Sequence, residues 1–359
     1  MNEDDRYMRR ALERAAETVF TSPNPKVGAV VVRDGVVVAE GSHQGAGTPH
    51  AETVALEAIE ATGATLYVNL EPCMHHGITP PCAPAIVEAG ITRVVVAIED
   101  PDPRVSGSGI AYLRAQGIGV DIGVLADEAT ALNAAYIHQR LTGRPLVTLK
   151  LALSLDGQMA ASDGSSRWIT GDESRRHVHE RRAASDGVMV GAGTVVADDP
   201  QLTVRDVMAT RQPARVIVDA TGKVPAASRI FEDGEAIVMT MISCPHATKT
   251  QWKEAGAEVV EVPHSPGGGV DLHAVVENLA ARGWLEVYCE GGAALATSLL
   301  RDELVDRLDL YYAPIVVGGN GIGIGDLGVD TIGAAHRWKT LRSTRLGSDT
   351  LLTLARAER

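Results

Sequence analysis

Hydrophobic positions recur along the chain with two periods, and the switches between them mark out its elements. Tyr7, Met8, Ala11, Leu12, Ala15, Ala16 and Val19 fall at helical spacing, which predicts an opening amphipathic helix with Glu3, Asp4 and Asp5 at its N-terminal end, where the helix dipole favours acids. A TSPNPK loop follows. The runs VGAVVV and VVVAEG flank Asp34-Gly35, and a DG pair between β-branched runs predicts a hairpin. A helix over about 51–61 stops at Gly63, TLYVNL is a strand, a short helix ends near Gly90, and TRVVVAI is a strand. A DPDP loop, another helix, the strand GIGVDIG and a helix from about Asp127 to Leu141 complete an α/β domain of about five strands with helices on both faces.

Gly143, Arg144 and Pro145 break the pattern, so domains are expected over residues 1–143 and 144–359. Beyond the break LVTLKLAL, GVMVG, ARVIVD, AIVMT, AEVVEV, LEVYCE and LDLYYAPIV read as strands, with helical patterns at about 172–183, 247–255, 271–281 and 293–301. This alternation predicts a second α/β domain on a mostly parallel sheet. Gly323, Gly325 and Gly328 match GxGxxG by letter but open no helix, so they read as loop. Glu290, Gly291 and Gly292 lie between a strand and a helix. Bare amides there form an anion site suited to a dinucleotide phosphate, or simply a tight turn.

Composition narrows the class. At 359 residues with 45% hydrophobic content the chain is long enough for two globular cores. A net charge of -13 argues against nucleic acid or an acidic membrane as partner, while leaving room for a small phosphorylated substrate met by local arginines. The first residues lack the apolar core of a signal peptide and no run is long enough to span a membrane, so a cytoplasmic protein is expected. Four cysteines in a chain this long do not make a disulfide framework.

The chemistry concentrates between His50 and Cys82. His50, Ala51 and Glu52 open that stretch; Pro72-Cys73 and Pro81-Cys82 close it. One imidazole and two thiolates, with a carboxylate left over, are the parts of a catalytic zinc site with an open position, in which the metal activates water and Glu52 carries protons. Each part alone is weak, since a histidine at a helix start is commonly a cap and a cysteine commonly a small hydrophobe. Their order and the flanking prolines favour the zinc reading. Deaminases of this kind commonly use PCxxC, whereas eight residues separate Cys73 from Cys82, so a loop must fold back.

The blocks PNPKVGAVVV, PHAETVAL, LEPCMHHGITPPC and VVVAIEDPDP, followed by KLALSLDGQMA, RWITG, VGAGTVVADDPQLTVR and EGG, resemble the bifunctional deaminase/reductase family of riboflavin biosynthesis. The resemblance implies a cytidine-deaminase-like three-layer α/β/α domain followed by a dihydrofolate-reductase-like α/β domain. It implies zinc and NADPH as cofactors, a phosphorylated pyrimidine substrate and a homodimer or tetramer. Carried over by position, His50, Cys73 and Cys82 are the zinc ligands and Glu52 the proton shuttle, while Asn24, His43 and His75 contact the base or the ribose phosphate. Ala152, Trp168, Thr194, Asp198 and Gly292 match cofactor positions. Ser166, Arg182, Leu202, Arg205 and Glu290 match substrate positions, and Lys150 is a candidate for polarising the sugar. Where relatives commonly carry Lys or Arg in the HxGxTPPC loop this chain has Ile78, so either another basic group compensates or the deaminase KM is raised; Ile78→Lys tests this.

Two other readings remain open on sequence alone. A cytidine or tRNA adenosine deaminase with an appended domain is disfavoured by the cysteine spacing and the acidic charge. A ligand-binding protein that has lost catalysis is disfavoured by the complete ligand set and Glu52.

Overall fold

The computed structural model describes residues 2–357 apart from Ala58, Ile78, Arg104 and Asn320. It divides into two compact units, Met1–Gly143 and Arg144–Arg359.

In the first unit α1 (Glu3–Glu17) is followed by β1 (Gly28–Arg33), β2 (Val36–Ser42), α2 (Ala51–Leu56), β3 (Thr65–Val68), α3 (Cys82–Glu88), β4 (Arg93–Val96), α4 (Ser108–Ala115), β5 (Gly119–Ile122), α5 (Ala126–Leu132) and α6 (Ala134–Thr142). The sheet order is β2-β1-β3-β4-β5. β1 pairs antiparallel with β2 and β3, whereas β3–β4 and β4–β5 are parallel. The expected DG hairpin is present, with both Asp34 and Gly35 at positive φ, as a tight two-residue turn requires. Alternate residues of each strand face opposite layers. Ala29, Val31, Leu66 and Val68 pack against Ala51 and Ala55 of α2, Ala83 and Ile86 of α3 and Leu113 of α4. Val30, Val32, Tyr67 and Val95 pack against Tyr7, Met8, Ala11 and Leu12 of α1 and Ala129 of α5.

Two glycines set the helix distances. A side chain on Gly28 would collide with the backbone of α1 at Ala11 and Ala15, and one on Gly41 with the backbone of α2 at Ala51 and Ala55. The first turn of α2 therefore lies directly on β2. The single helix expected over 127–141 is two helices broken at Asn133, whose amide is used elsewhere. Its Oδ1 accepts from Lys26 N at 2.8 Å and its Nδ2 donates to Lys26 O at 2.9 Å.

The second unit contains β6 (Leu146–Leu153), α7 (Asp172–Ala184), β7 (Gly187–Gly191), α8 (Ala192–Asp198), β8 (Ala214–Val218), β9 (Ala236–Met241), α9 (His246–Glu254), β10 (Glu258–Val262), α10 (Leu272–Ala281), β11 (Glu286–Cys289), α11 (Ala293–Arg301), β12 (Arg307–Tyr312), β13 (Trp338–Leu346) and β14 (Asp349–Arg356). Its sheet runs β10-β9-β8-β7-β11-β6-β12-β14-β13, parallel from β10 to β12 and antiparallel at the last two joints. The helix α8 and the hairpin β13–β14 were not legible in the hydrophobic pattern. Odd-numbered residues of β6 and β11 pack under α10 and α11, whereas Tyr288 of β11 faces Val178 of α7. Among the described residues no helix is long and apolar enough to cross a membrane.

Candidate functional site

In the first unit the close contact of α2 with β2 places its N-terminus at the sheet edge, with His50 as the N-cap residue and Glu52 in the first turn. The chain leaves β3 through Glu71-Pro72-Cys73 and returns at Cys82, the first residue of α3. The fold-back is fixed by backbone: Ala83 N donates to Cys73 O at 3.1 Å, and Cys82 N to Cys73 Sγ at 3.4 Å. His50 Nδ1 lies 3.1 Å from Cys82 Sγ and 3.5 Å from Cys73 Sγ. The three donor atoms lie within 4.8 Å of one another.

This set fits zinc. One imidazole nitrogen and two sulfurs converge on one point, and the far ring nitrogen, Nε2, meets Thr79 Oγ1 at 3.1 Å, an outer contact that fixes the ring with Nδ1 inward. The Cys82 thiol and the His50 imidazole, both hydrogen-bonded to Cys73, hold its sulfur below the usual thiol range, so it is disposed to be a thiolate ligand. Glu52 is buried beside the cluster and is not one of the three converging donors. Burial, reinforced by the charge on Cys73, pushes its carboxyl up to about 7.

The cavity above the cluster is lined by Asn24, His43, His50, Glu52, Cys73 and His75, all expected from sequence. Their parts differ. His43 is buried, its Nδ1 donates to Pro49 O at 3.1 Å, and its Nε2 therefore accepts from Asn24 Nδ2 at 2.9 Å. Burial also lowers its pKa and keeps it neutral. His43 thus orients the Asn24 amide, leaving Asn24 Oδ1 as the acceptor for a ligand. His75 is exposed at the rim. Ile78 lies outside the described residues.

Glu71 was not singled out by sequence reasoning, yet it holds the far wall. Buried to 4% exposure, its Oε1 accepts from Gly109 N and Ile110 N at 3.0 and 3.3 Å, and its Oε2 from Gly107 N and Asp100 N at 2.9 and 3.2 Å. The carboxylate caps α4 and ties it to the Cys73 loop. Gly109 packs so closely on Pro72 O that no side chain fits there.

In the second unit the expected residues gather where adjacent parallel strands β7, β11 and β6 end, the usual ligand position in such sheets. Lys150 and Ala152 share the half-covered face of β6. Burial lowers the Lys150 pKa, opposed by the nearby Glu290 carboxylate, with Arg182 and Asp198 also close enough to act on it. That lysine is therefore not the solvent-facing residue its strand position allowed. Arg182 Nε and Nη2 grip Glu290 at 2.5 and 3.0 Å, and its Nη1 donates to Thr203 O at 2.9 Å. Arg182 and Glu290, both expected at substrate positions, are thus each other's buried partners. The Gly292 amide, expected to be free for an anion, donates to Thr194 Oγ1 at 2.9 Å. Trp168 is 70% exposed beneath the Arg175 guanidinium, 4.6 Å from the ring centroid, and Asp198 O accepts from Arg167 Nη2 at 2.8 Å. Arg205 is exposed, with its backbone N–H donating to His179 Nδ1 at 3.1 Å, and Ser166 is half-buried in the largely exposed loop ahead of α7. The Leu202 side chain is buried in a core cluster with Val190 and Val195, so its backbone is the part left to meet a ligand.

Known proteins match both units. A model of the cytidine and deoxycytidylate deaminase zinc-binding region matches residues 1–98, and one of the RibD C-terminal domain matches residues 145–352. Riboflavin biosynthesis protein RibD of Aquifex aeolicus is 40% identical over 98% of this chain and 98% of its own length, and that of Escherichia coli is 38% identical over 99% of this chain and 100% of its own. The structure of Acinetobacter baumannii RibD superposes with a TM-score of 0.89 at 38% identity, covering 99% of both chains. A Thermotoga maritima diaminohydroxyphosphoribosylaminopyrimidine deaminase/5-amino-6-(5-phosphoribosylamino)uracil reductase superposes with a TM-score of 0.85 at 35% identity, again over 99% of both. On this likeness along its whole length, the chain belongs to the RibD family of riboflavin biosynthesis proteins.

Proposed function

We propose that the chain catalyses two successive steps of riboflavin synthesis. Residues 1–143 deaminate 2,5-diamino-6-(5-phospho-D-ribosylamino)pyrimidin-4(3H)-one, and residues 144–359 reduce the ribosyl side chain of the product with NADPH, giving 5-amino-6-(5-phospho-D-ribitylamino)uracil. The observation that carries the reading is the convergence of His50, Cys73 and Cys82 beside a buried, unliganded Glu52 in one cavity.

His50 Nδ1, Cys73 Sγ and Cys82 Sγ would hold zinc, which supplies a Lewis acid that makes water nucleophilic near neutral pH. Glu52, buried beside the ligands and not one of them, would take a proton from water on its carboxylate and deliver it to the departing amino group. Asn24, held by His43, presents its carbonyl oxygen to a pyrimidine N–H. The first and last turns of this work belong to the protein: orientation of the ring, exclusion of water and movement of one proton.

In the second unit NADPH, when bound, supplies the reducing equivalents. Thr194, Trp168, Asp198, Ala152 and Gly292 are proposed to seat it, with Ser166, Leu202, Arg205, Arg182 and Glu290 around the sugar phosphate. The Arg182–Glu290 pair keeps a fixed charge pattern in a buried place, and Lys150, lowered by burial and acted on by Glu290, is the proposed proton source beside it. The cytoplasm is the proposed location, in keeping with four free cysteines. A homo-oligomer is also proposed, because β13 leaves a largely exposed nine-residue edge strand on the larger sheet.

The test feeds the zinc-loaded protein the diaminopyrimidine ribosyl phosphate with and without NADPH, following ammonia and NADPH absorbance. Ammonia without NADPH, and oxidation of NADPH only after ammonia release, are expected. Ammonia with no NADPH oxidation would remove the reductase assignment, and neither signal would remove both.

A further inference from the structure

We infer that Arg140 is the phosphate-binding residue of the deaminase cavity, gripping the 5-phosphate of the ribosylamino substrate while the pyrimidine lies against Asn24 and Glu52. The inference rests on the proposed deaminase reaction and goes beyond it by assigning a residue that neither the motifs nor the cysteine spacing single out. Arg140 lines the same cavity as His50, Glu52 and Cys73. Among the described lining residues it is the one Lys or Arg; the other permanently ionisable groups are the carboxylates of Glu52, Glu71, Asp100 and Asp102. Of the permanently charged groups lining the cavity, this guanidinium alone attracts a phosphate dianion.

The side chain is also built for the task. It stands one turn after Tyr136 on α6, and its guanidinium lies 4.8 Å from the centroid of that ring. The Tyr136 hydroxyl is in turn fixed by donation to Asp100, at 3.0 and 3.2 Å from the two carboxylate oxygens. Arg140 Nη1 donates to Gln139 Oε1 at 2.6 Å. Nε lies 3.3 Å from Asp102 Oδ2, yet it is a buried nitrogen without a hydrogen-bond partner, so the ion pair is out of line and leaves donor capacity unused. A planar, pre-positioned guanidinium with unused donor capacity at Nε, lining a cavity whose carboxylates are its only other permanently charged groups, suits phosphate recognition. Of the two outcomes that Ile78 leaves open, a compensating basic group or a raised KM, it favours the first.

The test is steady-state ammonia release by the full-length zinc-loaded protein, without NADPH, on the phosphorylated substrate and on its dephosphorylated ribosylamino counterpart. Arg140→Met is expected to lower the ratio of kcat/KM for phosphorylated over dephosphorylated substrate by about 10- to 100-fold, mostly through KM, and Arg140→Lys to recover part of it. Inorganic phosphate should compete with substrate in the wild type and lose that competition in Arg140→Met. Bound zinc, measured by atomic emission, reports that the first unit is folded in each variant. An unchanged ratio, whether both substrates fall together or neither falls, would overturn the assignment. Should Arg140→Met hold no zinc, the ratio in Arg140→Lys decides. Failure of the wild type to deaminate either substrate would strike the proposed reaction instead.

Discussion

Glu71 gives the sharpest test of how the deaminase cavity is held together. Its two carboxylate oxygens divide four backbone donors evenly: Oε1 takes Gly109 N and Ile110 N, and Oε2 takes Gly107 N and Asp100 N. Glu71→Gln is nearly isosteric, but it can keep only one oxygen. Whichever way the amide turns, its NH2 faces two backbone N–H groups, and each stranded buried donor costs about 1–2 kcal/mol, so the variant should lose about 2–4 kcal/mol. Glu71→Leu strands all four and should lose about 4–8 kcal/mol, comparable to the whole stability of a domain of this size. The assay is urea unfolding of the full chain followed by zinc release, which reports the first unit, beside NADPH oxidation on deaminated substrate, which reports the second. Zinc release should move to lower urea and deaminase activity should fall, while reductase activity holds. A Gln variant whose zinc-release midpoint shifts by less than about 0.5 kcal/mol would refute the claim that this carboxylate organises the loop.

Other consequences are more local. Gly41→Ala puts a methyl into the backbone of α2, 2.7 Å from Ala55 N, so the helix carrying His50 and Glu52 must shift; zinc affinity and deaminase kcat/KM should both drop at least tenfold, as competition against a zinc chelator would show. Arg182→Met leaves Glu290 buried and unpaired and should cost about 3–5 kcal/mol, with the double variant Arg182→Met, Glu290→Gln recovering much of it in urea melts. The sign of its pH dependence follows. Burial alone would raise Glu290, but Arg182, joined by Lys150 and His179, outweighs burial and holds its pKa below the ordinary glutamate value. The pair's stabilisation is therefore present above about pH 4.3 and lost as pH falls through the lower folded-state value. Without Arg182 the largest group opposing burial is gone, leaving only Lys150 and His179, so the pKa rises, and acidification from about pH 6 to about pH 4 should cost the variant less stability than it costs the wild type.

The parts of this molecule that were legible in sequence are those whose chemistry is local. His50, Glu52, Cys73 and Cys82 announce themselves because few other uses call for those residue types in that order. Strands of the two sheets were readable because they are buried on one or both faces. The hairpin β13–β14 was not, since the side chains of β13 are mostly exposed and follow no alternation. Asn133 looked like an ordinary position within a helix; its role in ending one helix and pinning the Asn24 loop depends on Lys26, distant in sequence. Glu71 likewise reads as one more acid beside a proline until the 100–110 loop folds over it. The Arg182–Glu290 pair changes the meaning of both residues: sequence assigned each to substrate, and the fold shows them bound to one another.

The account centres on two chemistries held in separate units of one chain, and Glu52→Gln tests it most directly. With the diaminopyrimidine ribosyl phosphate and NADPH both supplied, the variant should bind zinc as the wild type does, release no ammonia and oxidise no NADPH. Given the deaminated substrate, it should oxidise NADPH at the wild-type rate. Ammonia release by the zinc-loaded variant, or loss of reduction on deaminated substrate in a folded protein, would contradict it.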